Sequence, residues 1–252
     1  MTINPDRVTA VVLAGGRGTR IKHLVPNLPK PMVPVLGRPF LEWVVGYLRH
    51  QGIRRVLIST GHLGDVIEKH FAAQPVAGVA LRCVREDDAL GTAGGFLNAV
   101  SASGEKPDAW LVLNGDSLVF GDLRAAAAPL KEPQVQGVVV GVSVPDASRY
   151  GRIAFDQTDR LLKFEEKQPG GGVINAGVYL FKPALLAQFP PQRPLSFEID
   201  VFPQLLARGV HLQVCATTAP FLDIGTPESL ALAESFIEEN AVEPRMETNG
   251  HE

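Results

Sequence analysis

The stretch that decides the fold is VTAVVLAGGRGTR, residues 8–20, in which a short apolar run leads directly into a loop with three glycines. A continuous apolar run of this length is typical of a parallel strand that is buried on both faces. Glycines after such a strand let backbone N–H groups approach an anion closely. We therefore expect an α/β fold with a phosphate-binding loop at the end of its first strand.

Strand-like and helix-like segments alternate in the first half of the chain. The helix-like ones carry apolar stripes, such as Phe40, Val44 and Leu48 at a spacing of four residues. Alternation at crossover spacing predicts a Rossmann-like, mainly parallel sheet flanked by helices, with ligands at the carboxyl ends of its strands. Further strands are expected at Val56–Thr60, Val79–Val84 and Trp110–Leu113, and helices at Phe40–Arg49, Leu63–Phe71 and Thr92–Val100.

The second half reads differently, because its strand-like runs are separated only by turns. They lie at Val138–Val144, Gly151–Phe155, Leu161–Glu165 and Val173–Phe181. This pattern predicts a β-rich portion that forms a lid or substrate subdomain over the sheet. Helical patterns return at Glu198–Ala207 and Pro227–Glu239. Residues 1–241 are expected to form a single domain, followed by a polar, flexible tail at 242–252.

Composition excludes several classes of function. The formal net charge of the 252 residues is −3, so no bulk basic field favours nucleic acid or an anionic membrane. No apolar run approaches the roughly 18 residues that a membrane span needs. The two cysteines have no metal-ligand spacing and are expected to be reduced thiols. We therefore expect a cytoplasmic protein that binds neither nucleic acid nor membrane.

The glycine loop fits neither of two common phosphate-binding patterns. A Walker A loop requires a lysine at a spacing that is absent here. A dinucleotide fold requires an acidic residue after the second strand, where this chain has Thr60-Gly61-His62. Ten residues after Arg20, Lys30 lies between two prolines that restrict its direction. Arg20 and Lys30 together suggest the two cations of a triphosphate site.

Two carboxylates each follow an apolar run, at the place where a parallel sheet presents its ligands. They are Asp116 in LNGDS and Asp223 in FLDIGTPE. Mg²⁺ is commonly held by one or two carboxylates together with phosphate oxygens. Taken singly, Asp116 could be a turn residue and Asp223 a helix cap.

The motifs LAGGRGTR at 13–20 and PKPM at 29–32 together resemble the signature of the sugar-nucleotide pyrophosphorylases. This resemblance extends over about residues 8–238. It implies a GT-A-like nucleotidyltransferase fold and a Mg²⁺-dependent transfer of NMP from an NTP to a sugar 1-phosphate, with release of pyrophosphate. It also implies a nucleotide-binding part at about 8–135, a sugar-phosphate-binding part at about 136–225 and a closing helix at about 227–239.

By the same resemblance, the site residues fall into four groups. The catalytic residues are Arg20, Lys30 and Asp116, and the metal ligands are Asp116 and Asp223. The nucleotide-binding residues are Leu13, Ala14, Gly15, Gly16, Gly18, Thr19, Glu86, Gly91 and Thr92. The sugar-phosphate-binding residues are Asn114, Gly151, Glu165, Lys167 and Asn175.

The nucleobase and the sugar are less sharply indicated. A carboxylate such as Glu86 can accept hydrogen bonds from both N1–H and the exocyclic amine of guanine, which favours GTP. The further motifs GTAGG, RYG, FEEK, NAGVY and SFE are similar to those of the D-glycero-α-D-manno-heptose 1-phosphate guanylyltransferases. Mannose 1-phosphate guanylyl transfer, uridylyl or cytidylyl transfer to a hexose 1-phosphate, and a non-catalytic regulatory subunit stay open as alternatives. A homo-oligomer is possible.

Overall fold

The structure is a computed structural model that describes residues 4–16, 18–21, 23–165 and 169–241. The predicted tail at 242–252 lies outside the described residues.

The strands follow one another from the start to the end of the described chain. They are β1 (Val8–Ala14), β2 (Pro34–Val35), β3 (Arg38–Pro39), β4 (Arg55–Thr60), β5 (Ala80–Arg85), β6 (Ala109–Asn114), β7 (Ser117–Val119), β8 (Val135–Val144), β9 (Arg152–Phe155), β10 (Leu161–Glu165), β11 (Gly172–Phe181), β12 (His211–Thr217) and β13 (Phe221–Asp223).

The helices lie between these strands and after the last of them. They are α1 (Phe40–His50), α2 (Gly64–Ala73), α3 (Thr92–Ser103), α4 (Leu123–Ala127), α5 (Phe202–Ala207), α6 (Pro227–Ala231) and α7 (Ala233–Asn240). A π-helix at Phe197–Val201 leads into α5, and the predicted closing helix is divided into α6 and α7.

The parallel part of the sheet is built as the sequence predicts. β1 lies between β4 and β6 and is parallel to both, and β5 follows on the far side of β4. Since all four strands run in one direction, their carboxyl ends meet at one edge. That edge carries the glycine loop after β1 and Asn114 at the end of β6.

The second half does not form a lid over the sheet, so that expectation was wrong. β11 pairs antiparallel with β6 and continues the same nine-stranded sheet, which also contains β8, β9, β10 and β12. The apolar runs predicted these strands but not their partners, because pairing depends on contacts distant in sequence. The sheet is therefore mixed, with a parallel half and a largely antiparallel half.

The core lies on both faces of this sheet. Along β1, Ala10 and Val12 face one apolar cluster, which includes α1, whereas Val11 faces the other. The second cluster includes Phe96 of α3 and Phe202 of α5. Because both faces are covered, the central strands are mostly apolar on both faces. Among the described residues, no helix is long and apolar enough to cross a membrane.

Candidate active site

A cleft of about 520 Å³ opens at the carboxyl ends of the parallel strands, where the sequence predicts the ligands. The predicted site residues that line it are Leu13, Ala14, Gly15, Gly16, Gly18, Thr19, Arg20, Lys30, Glu86, Gly91, Thr92, Asn114 and Asp116. The structure adds Pro31, Ser59, Ala89, Gly95 and Gly225 to the lining. Pro31, Gly95 and Gly225 lie within the motifs PKPM, GTAGG and FLDIGTPE but were not among the predicted site residues.

The loop after β1 requires glycine for two separate reasons. At Gly15 the reason is space, because a Cβ there would collide with Oε1 of Glu86. At Gly18 the reason is backbone conformation, because φ is +55°. The carbonyl oxygen of Gly15 accepts a hydrogen bond from the His62 amide at 3.3 Å, which ties the loop to the segment after β4. The loop is thus tied to the segment after β4 at its first glycine.

Lys30 lies in the cleft, with its side chain only 12% exposed. Its Nζ donates to Oδ2 of Asp116 at 2.7 Å and to Oδ1 of Asp223 at 3.3 Å. The sequence suggested that Lys30 faces phosphates. In the structure its ammonium joins the two predicted metal ligands instead.

A short ribbon of two strands brings Asp116 and Asp223 together. β13 pairs antiparallel with β7, so that Asp223 lies opposite Ser117. The amide of Ile224 donates to the carbonyl oxygen of Asp116 at 3.0 Å. Both carboxylates therefore leave the same end of the ribbon. The apolar pattern could not predict this pairing, because each strand has only three residues.

The chemistry of these two carboxylates fits a divalent cation. Their oxygens already share one cation, the ammonium of Lys30. Within the described part of the chain, no group of three or more His, Cys, Asp or Glu side chains is arranged to hold a metal ion. Two carboxylates suffice for Mg²⁺ when phosphate oxygens and water complete its coordination.

Glu86 lies at another part of the cleft, surrounded by glycines. Besides the contact with Gly15, a Cβ on Gly61 would lie 2.7 Å from Oε1, and one on Gly95 would lie 3.2 Å from Oε2. Burial raises the pKa of the Glu86 carboxyl, and a hydrogen bond from the Leu90 amide to Oε2, 3.4 Å long, opposes that rise. The Glu86 carboxylate is therefore partly shielded from water, and the long hydrogen bond from the Leu90 amide leaves its oxygens able to accept further hydrogen bonds from a ligand.

The first amides of α3 are occupied by bonds within the protein. The amides of Ala93 and Gly94 both donate to the carbonyl oxygen of Leu195, at 2.9 and 3.1 Å. The hydroxyl of Thr92 accepts from the Phe197 amide at 3.1 Å. These bonds already satisfy donors that an anion would need. Thr92 and the buried Gly95 are the residues of α3 that line the cleft.

A family comparison agrees with this geometry. The profile described as "Nucleotidyl transferase" matches residues 9–240, which is most of the chain. The chain belongs to the nucleotidyl transferase family. The resemblance that LAGGRGTR and PKPM indicated is thereby confirmed.

Individual relatives of this nucleotidyl transferase share about a third of its residues. The mannose-1-phosphate guanylyltransferase of Mycobacterium tuberculosis is 33% identical over 97% of this chain and 68% of that enzyme. The D-glycero-alpha-D-manno-heptose 1-phosphate guanylyltransferase of Campylobacter jejuni is 33% identical over 87% of this chain and 95% of that enzyme. The crystal structure of HddC from Yersinia pseudotuberculosis in complex with GMP-PN superimposes with a TM-score of 0.80 at 30% identity, over 90% of this chain and 98% of that one.

Only some of the predicted sugar-phosphate-binding residues of this nucleotidyl transferase lie close together. Gly151 and Glu165 are close, since a Cβ on Gly151 would lie 3.1 Å from the Glu165 carbonyl oxygen. The Glu165 carboxylate pairs with Lys163 at 3.0 Å. Gly151, Glu165 and Asn175 are absent from the described residues that line the cleft. Lys167 lies outside the described residues.

Asn175 is held by a network that the sequence interpretation missed. Its Oδ1 accepts from the Gly177 amide at 3.0 Å, and its Nδ2 donates to the Tyr179 hydroxyl at 2.7 Å. The Tyr179 hydroxyl donates in turn to Oε1 of Glu198 at 2.8 Å, and the Ser196 hydroxyl donates to Oε2 at 3.0 Å. The motif SFE contains Ser196 and Glu198, so its similarity to the family was the available signal.

Proposed function

We propose that the chain transfers a guanylyl group from GTP to D-glycero-α-D-manno-heptose 1-phosphate, giving GDP-heptose and pyrophosphate. The observation that carries the choice of base is Glu86, a partly desolvated carboxylate that lines the cleft. Guanine presents N1–H and an amine side by side, and one ionised carboxylate can accept from both. HddC, whose structure was solved with a guanine nucleotide analogue, has a similar fold.

The proposed reaction is a direct displacement at the α-phosphorus. A phosphate oxygen of the sugar 1-phosphate forms a new P–O bond, while the bond to the bridging oxygen of pyrophosphate breaks and pyrophosphate leaves with the electron pair. Because the attacking oxygen is ionised at neutral pH, the reaction requires no side-chain base. Catalysis then consists of alignment and neutralisation of charge.

Three cleft residues supply these effects in the proposal. Arg20 binds the β- and γ-phosphates, and Lys30 stabilises charge on the α-phosphate and the departing pyrophosphate. Asp116, together with Asp223, would hold Mg²⁺, which supplies further neutralisation of the phosphates when bound. The ribbon of β7 and β13 supports this assignment, because it brings both carboxylates to one cation.

We assign the sugar 1-phosphate to the region beside Asn114 where the turn after Asn175 packs on it. A Cβ on Gly177 would collide with Nδ2 of Asn114, so the turn after Asn175 packs directly on a residue that lines the cleft. Asn175 retains one amide hydrogen and one lone pair for a sugar hydroxyl, besides the bonds that it makes within the protein. Glu165, Gly151 and Lys167 complete the proposed sugar-phosphate site.

Mannose 1-phosphate is the second candidate for the acceptor. The mannose-1-phosphate guanylyltransferase of Mycobacterium tuberculosis matches 97% of this chain at the same identity as the heptose enzyme of Campylobacter jejuni. The heptose is preferred because the match spans 95% of the heptose enzyme but 68% of the mannose enzyme.

The deciding experiment measures pyrophosphate release from GTP, UTP, CTP, ATP and dTTP with Mg²⁺ and a panel of sugar 1-phosphates. Turnover with GTP and the heptose 1-phosphate is the expected result. Turnover with GTP and mannose 1-phosphate alone would retain the base and change the sugar. No release with any pair, together with calorimetric binding of nucleotide, would indicate a non-catalytic regulatory subunit.

The metal assignment has its own test in Asp116→Asn. The variant keeps the shape of the side chain but loses a charge, so it should fold normally and lose turnover by roughly 100-fold or more. Circular dichroism checks the fold and pyrophosphate release checks turnover. Asp122→Asn, at the N-cap of α4, is the matched control and should keep full activity. Full activity of Asp116→Asn at saturating Mg²⁺ would contradict the assignment.

A further inference from the structure

Lys30 makes contacts that a lysine reserved for phosphates would not need. Its Nζ lies 2.7 Å from Asp116 and 3.3 Å from Asp223, and its side chain is largely shielded from water. A shielded ammonium is stable only when it is paired, and the same holds for two carboxylates brought close together. Each of the three charges is therefore compensated by the others in this arrangement.

Two glycines make the space that this arrangement requires. A Cβ on Gly225 would lie 3.0 Å from Nζ of Lys30, so a larger residue there would press on the ammonium. A Cβ on Gly18 would lie 3.0 Å from the Cβ of Lys30, at the other end of the side chain. A glycine therefore packs closely against each end of the Lys30 side chain. Such a fit distinguishes it from a surface lysine that finds a carboxylate by chance.

We propose that Lys30 is the built-in counter-ion of the metal site: its ammonium holds Asp116 and Asp223 until a divalent cation takes its place, and then turns to the phosphates. This inference rests on the proposed function, because that function assigns the metal to the same two carboxylates. Both cations require the same oxygens, and Mg²⁺ binds oxygen at about 2.0–2.1 Å. Repulsion between the two cations therefore makes the ammonium and the metal alternatives.

The exchange makes metal binding and nucleotide binding cooperative. Without nucleotide, the metal must displace an ammonium whose charged partners among the described residues are Asp116 and Asp223, so the affinity for the metal is low. When a triphosphate occupies the cleft, the displaced ammonium gains phosphate oxygens instead. Lys30 also lines the cleft, and its flexible stem allows the charged end to turn without movement of the backbone. By linkage, the metal raises nucleotide affinity by the same factor.

The test is a titration with Mn²⁺ alone, followed by electron paramagnetic resonance, in the absence of nucleotide. Lys30→Met should bind Mn²⁺ more tightly than the unsubstituted protein, on the order of tenfold or more, because the competing charge is gone. The matched control is Lys69→Met, which removes an equal charge from an exposed i, i+4 pair with Asp65 and should leave Mn²⁺ affinity unchanged. Equal or weaker binding by Lys30→Met, or an equal gain in Lys69→Met, would overturn the proposal.

A second measurement needs no variant. Acetylation of lysines, quantified by mass spectrometry, should modify Lys30 slowly in metal-free protein and several-fold faster with saturating Mg²⁺. The rate at Lys69 should not change. An unchanged or slower rate at Lys30 would contradict the exchange.

Both readouts differ from turnover. If pyrophosphate release fails for every substrate pair while Lys30→Met binds Mn²⁺ more tightly, the exchange of ammonium for metal is supported and the proposed reaction is rejected. If turnover proceeds as proposed while Lys30→Met gains no Mn²⁺ affinity, the proposed reaction is supported and the exchange of ammonium for metal is rejected.

Discussion

At the scale of single residues, Glu86 shows how the fold tunes one carboxylate. Its neighbours Asp87 and Asp88 are exposed, whereas Glu86 is partly buried against three glycines. Burial raises its pKa, so the folded protein holds the proton more tightly than the unfolded chain does. The resulting contribution to stability is fully present below the unfolded pKa and is lost as the pH rises through the folded pKa. Above the folded pKa, ionisation of Glu86 therefore disfavours folding.

Glu86→Gln should consequently separate stability from binding. We expect the Tm of the variant to gain on that of the unsubstituted protein as the pH rises through the folded pKa of Glu86, because the variant has no carboxyl group to ionise. We also expect kcat/KM for GTP to fall by roughly 10- to 100-fold, because an amide cannot accept from both guanine donors. Thermal unfolding and pyrophosphate release measure the two effects.

The control for this prediction is Asp87→Asn, which removes a charge from the adjacent exposed residue and should change neither quantity. If Glu86→Gln leaves GTP turnover unchanged, Glu86 does not bind the base.

At the scale of secondary-structure elements, the start of α3 and the segment before the π-helix form one unit. The amide of Leu195 donates to the Leu90 carbonyl oxygen at 2.7 Å, and the Leu195 carbonyl accepts from the first turn of α3. Leu195 is fully buried. The π-helix that follows carries Glu198, which belongs to the network of Asn175. The segment thus connects the proposed base site to the proposed sugar site.

Gly91→Ala should disrupt this connection. Gly91 has φ +78°, and a Cβ there would lie 2.5 Å from the Leu195 carbonyl oxygen. We expect the free energy of unfolding to fall by about 3 kcal/mol or more, from backbone strain and the collision together. Denaturant unfolding measures the change.

Gly104→Ala, at the other end of α3, is the comparison for Gly91→Ala. It also has a positive φ, +69°, but open space around the added Cβ. It should lose only about 1–2 kcal/mol, the cost of a left-handed conformation. An equal decrease in the free energy of unfolding in the two variants would show that the contact with Leu195 does not contribute to stability.

At the scale of the whole molecule, one face of the sheet is stabilised by a cluster of aromatic side chains. Phe96 of α3 is fully buried, and its ring lies 6.1 Å from Trp110, 6.0 Å from Phe181 and 5.7 Å from Phe197. These partners come from β6, β11 and the π-helix. The cluster therefore links the parallel half of the sheet to the antiparallel half.

Phe96→Ala should lower the free energy of unfolding by about 3–5 kcal/mol, because it leaves a cavity at this junction. Chemical denaturation monitored by fluorescence of Trp110 and Trp43 gives the value. Leu232→Ala is the matched control, since Leu232 is 60% exposed, and it should cost less than about 0.5 kcal/mol. A loss below 1 kcal/mol in Phe96→Ala would show that the two halves are stabilised independently.

The sequence by itself determined the local elements and the chemistry of the site. The apolar run at Val8–Leu13 predicted β1, and the periodicity of Phe40–Arg49 predicted α1, because both signals depend only on neighbouring residues. The glycine loop, Arg20 and Lys30 were identified in the same way. All of them line the cleft.

Only the tertiary structure decided which of these groups meet. It joined the antiparallel strands to the parallel sheet, paired β7 with β13 and placed the ammonium of Lys30 between Asp116 and Asp223. It also placed Leu195 over the start of α3. Each of these contacts joins segments that are far apart in the chain. Their energies depend on burial and close approach in three dimensions, which no local pattern of residues encodes.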